Sequence, residues 1–215
     1  MNRFNLRRVR RVRALFAAAC IATSGSVLAS DFDEDVLGDL SNDHLAPTVL
    51  MLGPDGSHAV AGSNVVTGRI GRANGVIDRD YLNFIVPDGY VLKELKVGQQ
   101  TTFGNQGSFI GLAAGAVMTD PERTPDASAL LGYHIYGSAD RGQDILDDMA
   151  AAIGTVGFSA PLAAGSYTLW IQETSNGAFR YRMNLVLAPV PEADRAVLLL
   201  SGLMLTALVV RRRRI

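Results

Sequence analysis

The stretch Asp80-Tyr81-Leu82-Asn83-Phe84-Ile85-Val86, closed by Pro87-Asp88-Gly89 and resumed by Tyr90 to Val97, decides the fold. Leu82, Phe84 and Val86 alternate with Tyr81, Asn83 and Ile85, the two-residue period of a strand with one face on a core. Pro-Asp-Gly is turn chemistry: proline presets one turn position and glycine tolerates positive φ at another. Beyond the turn, Val91, Leu95 and Val97 share a face, so the two runs read as a hairpin.

The same pattern extends in both directions. Thr48 to Leu52 is a β-rich run stopped by Gly53-Pro54-Asp55-Gly56, and Asn64 to Ile70 is a second. Ser108 to Ala116, Ala129 to Tyr136, Thr155 to Ser159, Tyr167 to Glu173 and Ala178 to Leu187 continue it. Asn176-Gly177 is a strong hairpin-turn pair. Asp144 to Ile153 is the helical candidate, because Ile145, Met149 and Ile153 recur at four-residue spacing. Gly68, Gly71 and Gly75 lack the spacing of a phosphate-binding loop and read as turn glycines. Short strands broken by turns predict an all-β domain, an antiparallel β-sandwich with one short helix, over residues 48–188. Residues 30–47 carry Asp31, Asp33, Glu34, Asp35, Asp39 and Asp43 and read as a solvated acidic lead-in.

Charge is distributed unevenly along the 215 residues, although the formal net charge is only -1. Six arginines and no acid precede residue 30, and five arginines with two acids follow residue 190. Between them nine basic residues face nineteen acidic ones, a balance of -10 that argues against a nucleic acid partner. Cys20 is the single cysteine, so the middle segment has no disulfide and no cysteine-ligated zinc.

Residues 1–29 read as a signal peptide: arginines up to Arg13, an apolar stretch from Ala14 to Thr23, then Val27-Leu28-Ala29. Signal peptidase is expected to cut after Ala29. Ten apolar residues are too few to cross a bilayer core of about 30 Å. At the other end, Val190-Pro191-Glu192-Ala193-Asp194-Arg195 precedes an apolar run at 196–210, then Arg211, Arg212, Arg213, Arg214 and Ile215. As a helix that run spans about 22 Å, and flanking arginines can snorkel to the interface. The arginine cluster predicts a cytoplasmic chain end, which puts the acidic middle outside the inner membrane.

This tripartite tail, residues 190–215, resembles the PEP-CTERM sorting signal of Gram-negative bacteria. Pro191-Glu192 matches its motif, and Ala193 stands where the family has a second proline. The resemblance implies recognition by an exosortase, a membrane cysteine peptidase, with cleavage near Pro191, transient anchoring by the helix, and release to the cell surface or extracellular matrix. A plain C-terminal anchor helix is the simpler alternative. In the middle, Asp78-Arg79-Asp80-Tyr81-Leu82-Asn83-Phe84, Val86-Pro87-Asp88-Gly89, Leu162 to Trp170 and Tyr181 to Leu187 resemble bacterial pre-peptidase C-terminal domains. That likeness implies a jelly-roll-like sandwich with an accessory or binding role and carries over no catalytic residue.

Direct searches for chemistry find little. His44, His58 and His134 are too far apart for a metalloprotease pair. Gly157-Phe158-Ser159 lacks the second glycine of a nucleophile elbow. The acids offer no way to choose a glycosidase pair. Asp78 and Asp80 alternate at a strand edge and are candidate calcium ligands, because calcium favours hard oxygen donors. Trp170, Tyr167 and Tyr181 are candidates for a sugar-stacking platform but read better as core, since large aromatics dominate cores. The expectation is a non-catalytic envelope or matrix protein without an obligate cofactor; a carbohydrate-binding or polysaccharide-active module, with exopolysaccharide as partner, is the alternative.

Overall fold

The computed structural model describes residues 31–53, 63–105, 107–119 and 126–190. Its strands are β1 (Phe32–Asp33), β2 (Thr48–Met51), β3 (Ser63–Ala73), β4 (Val76–Val86), β5 (Tyr90–Val97), β6 (Ser108–Ala114), β7 (Gly132–Tyr136), β8 (Gly165–Gln172) and β9 (Gly177–Pro189). Two short helices, α1 (Glu34–Leu37) and α2 (Leu146–Ala150), complete the elements that matter here. The fold is all-β, mostly antiparallel and sandwich-like.

The two layers share one long hairpin. β3 and β4 turn at Asn74-Gly75, where φ is 52° and 82°. Positive φ at both central residues is what a two-residue hairpin turn requires, and asparagine and glycine adopt it most readily. β4 pairs with β3 only from Val76 to Asp78. From Arg79 to Val86 it pairs with β8 instead. One layer is therefore β1, β3, β9 and β5, and the other is β2, β4, β8, β6 and β7.

Leu82, Phe84 and Val86 point between the layers and meet Val66, Ile70, Leu95, Val97, Leu185 and Leu187. The opposite face of β4 supplies Tyr81 to a smaller cluster with Ala113, Met118, Leu130 and Trp170. Trp170 is 2% exposed and packs edge-on against Phe109, with centroids 4.9 Å apart. Trp170 and Tyr181 are core residues, as the sequence reading preferred, and Tyr167 is partly buried against the core.

Several expectations need correction. The runs 80–86 and 90–97 do not form a hairpin: β5 pairs with β9, while β4 pairs with β8. Tyr90 N–H donates to the Pro87 carbonyl, so the turn forms, but it carries the chain across to the other layer. Asn176-Gly177 likewise joins β8 in one layer to β9 in the other. Residues 155–159 form no strand; the Val156 and Gly157 N–H groups donate to the Leu130 and Leu131 carbonyls. α2 is shorter than 144–153: Asp144 lies ahead of it, held outside the helix by accepting from the N–H groups of Leu95 and Leu146. Ile153, counted on the apolar face, is 89% exposed.

The acidic stretch 30–47 is no free lead-in within its described part. Within it, β1 pairs in parallel with β3, and Tyr81 N–H donates to the Ser41 carbonyl at 2.9 Å. Phe32 packs on the main core and Leu40 is 1% exposed. Asp33 caps α1 by accepting from Asp35 N–H, a contact of the kind that stabilises a helix start by about 1 kcal/mol.

Candidate functional site

Strand parity places Asp80 on the inward face of β4, two residues before Leu82. It is 0% exposed, and neither carboxylate oxygen has a hydrogen-bond partner of ordinary geometry among the described residues. Burial pushes its pKa well above the usual carboxylate range. The Tyr181 hydroxyl beside it acts in the opposite sense, and the charges of Glu34, Asp78 and Asp39 add to the rise.

The lead-in brings Glu34 and Asp39 to the same place. One oxygen each from Glu34, Asp39 and Asp80 lies within 4.8 Å of the others. Glu34 is aimed by two backbone donors: Leu40 N–H reaches Oε1 at 3.2 Å, and Arg69 N–H reaches Oε2. Its pKa is raised to about 7, chiefly by burial and then by a hydrogen bond to Asp39. Asp35, by contrast, is held below the usual range, chiefly by its hydrogen bond from Arg69 and also by one from Arg180. Arg180 additionally pairs with Asp33 at 3.3 Å.

Tyr181 reaches the site because β3 has a glycine opposite it. Gly68 and Tyr181 are register partners. A Cβ at Gly68 would lie 2.5 Å from the Tyr181 hydroxyl oxygen, so the bare backbone makes the space in which the ring lies. The hydroxyl is buried without a hydrogen bond of ordinary geometry, and its pKa is raised by burial and by the Asp80 charge.

Of the two proposed calcium ligands, the cluster includes Asp80 and leaves out Asp78. Asp78 accepts from Asn42 Nδ2 at 3.2 Å and lines a cavity of about 500 Å³ with Asp39, Asn42 and Arg79. Glu34, Asp39 and Tyr181 were not singled out in the sequence as ligands. The one available signal was parity, since Asp80 shares the face of Leu82, Phe84 and Val86.

The remaining candidates are dispersed. His44 Nδ1 lies 2.6 Å from the Met118 carbonyl oxygen, and His134 lies 3.7 Å from Asp140. His58 is outside the described residues. Ser159 sits exposed in a loop, not at a strand end. Glu173 is buried but fully engaged, accepting from Gly104 N–H, Ser108 Oγ–H and Ser175 N–H. Val190 is exposed, and its N–H donates to the Gly89 carbonyl. Ala29, Pro191, Glu192 and Arg211, Arg212, Arg213 and Arg214 lie outside the described residues, as does the expected span at 196–210. Among the described residues no helix is long and apolar enough to cross a membrane.

No family model, curated protein or solved structure matches this chain.

Proposed function

We propose that this chain is an exported, non-catalytic β-sandwich protein of jelly-roll-like form. It is delivered to the cell surface or extracellular matrix of a Gram-negative bacterium after exosortase-type processing of its tail. The observation that carries the reading is the sequence from Val190 to Ile215: Pro191-Glu192, an apolar run and four arginines. The basic and apolar residues 1–29 supply the matching export signal.

Two structural features support the reading. The last described strand ends at Pro189, next to Val190, where the sorting-type sequence begins. The chain crosses between layers from β4 to β5, from β5 to β6 and from β8 to β9, as a jelly-roll-like sandwich requires, while β6, β7 and β8 stay in one layer. A short bridge between Lys96 and Asp144 occupies the edge beside β5, where a further strand of such a roll would lie.

Mass spectrometry of protein recovered from cells tests this. The expected mature chain begins at Ser30 and ends near Pro191. A chain ending at Ile215 would remove the processing step. A second reading, carbohydrate binding, is favoured by a cavity of about 410 Å³ lined by Phe103, Asn105, Ser138 and Arg141. There the Arg141 guanidinium lies 5.1 Å from the Phe103 ring centroid. Saturable glycan binding abolished by Arg141→Ala would promote that reading, and turnover of a polysaccharide would displace the non-catalytic one.

A further inference from the structure

We propose that Glu34, Asp39 and Asp80 bind one divalent cation, with calcium as the preferred ion, and that the ion fastens the lead-in across the end of the sandwich. The donor set is entirely carboxylate oxygen, the chemistry of a hard cation. The oxygens lie no more than 4.8 Å apart, which is about twice a calcium–oxygen bond and leaves room for a central ion.

A cluster of acids alone would not carry this, because exposed acids commonly sit together in solvent. Two buried groups set this one apart. Asp80 is fully buried with neither oxygen in a hydrogen bond of ordinary geometry among the described residues, and burying a carboxyl group without compensation is costly. Tyr181, from β9, sets its buried hydroxyl oxygen beside Asp80, a further oxygen with no hydrogen bond of ordinary geometry among the described residues. The nearby guanidinium groups do not neutralise the cluster: Arg69 and Arg180 are engaged by Asp35 and Asp33. Arg69 contributes its backbone N–H instead, which orients Glu34. Glu34 and Asp39 belong to the lead-in and Asp80 to β4, so an ion held by all three ties the two together. Asp39 is exposed and also lines the cavity shared with Asn42 and Asp78, which supplies a route from solvent.

The test uses the full-length chain in mild detergent, stripped with a chelator and titrated with calcium chloride in a calorimeter at neutral pH. The expected result is saturable binding of one ion per chain and a higher Tm with calcium than without. Asp80→Asn and Glu34→Gln should each weaken binding by about tenfold or more, whereas Asp78→Asn stays within about twofold. If Asp80→Asn does not fold, the exposed Asp39→Asn puts the same question. Terbium provides an independent readout: tyrosine excitation should give terbium emission that calcium quenches and that Tyr181→Phe dims. Absence of saturable calcium binding by the wild-type chain would overturn the proposal, as would unchanged affinity in both Glu34→Gln and Asp39→Asn. Loss of calcium binding would leave the export reading untouched, because that rests on the two chain ends.

Discussion

Asp80 occupies a position that the alternation of β4 reserves for an apolar side chain, and the consequences spread to its neighbours. Glu34 has a folded-state pKa raised from 4.5 to about 7, so the folded chain holds a proton there that the unfolded chain has lost. That contribution to stability is complete below pH 4.5 and disappears as pH rises to about 7. The full shift corresponds to about 3 kcal/mol, and because Glu34 is only half buried, solvent screening cuts this to about 1–2 kcal/mol. Urea unfolding of chelator-treated protein should therefore show stability falling between these pH values, and Glu34→Gln should flatten the slope. Gly68→Ala tests the neighbouring contact. The added methyl meets the Tyr181 ring, and the expected loss is about 1–3 kcal/mol by thermal unfolding. Asp80 could be picked from the sequence by parity and charge. Glu34 and Asp39 could not, because an acidic run has no period that reveals which of its members folds back onto a distant strand.

Strands were legible because alternation is local, and their partners were not because pairing is decided across the chain. Pro87-Asp88-Gly89 and Asn176-Gly177 both carry turn chemistry, yet both connect strands of different layers. The pair that does close a hairpin, Asn74-Gly75, is flanked by Arg72, Ala73, Val76 and Ile77, where the alternation is weak. In the sequence, Gly75 reads only as one of the turn glycines with Gly68 and Gly71. Gly75→Ala should cost about 1–2 kcal/mol from backbone conformation alone, since φ is 82° and nothing lies within 4 Å of the added methyl. The smaller core beneath Trp170 is a second test at this scale. Trp170→Ala should destabilise by about 3–5 kcal/mol in denaturant unfolding, because Tyr81 and Phe109 lose their packing partner.

Across the whole molecule, an acidic domain stands between two basic ends, and the proposed location rests on that asymmetry. The body carries a balance of -10 between residues 30 and 190, whereas the last four residues before Ile215 are arginines. An arginine cluster next to an apolar run resists translocation, and on that ground the proposed function keeps the tail in the cytoplasm and exports the domain ahead of it. The domain itself needs no help from disulfides, since two cores and a long shared hairpin join its layers. The most direct measurement is an alkaline phosphatase fusion placed after Pro189, compared with a green fluorescent protein fusion at the same point. The account predicts high phosphatase activity and no fluorescence. A fluorescent, phosphatase-negative pair would place the domain in the cytoplasm and contradict it.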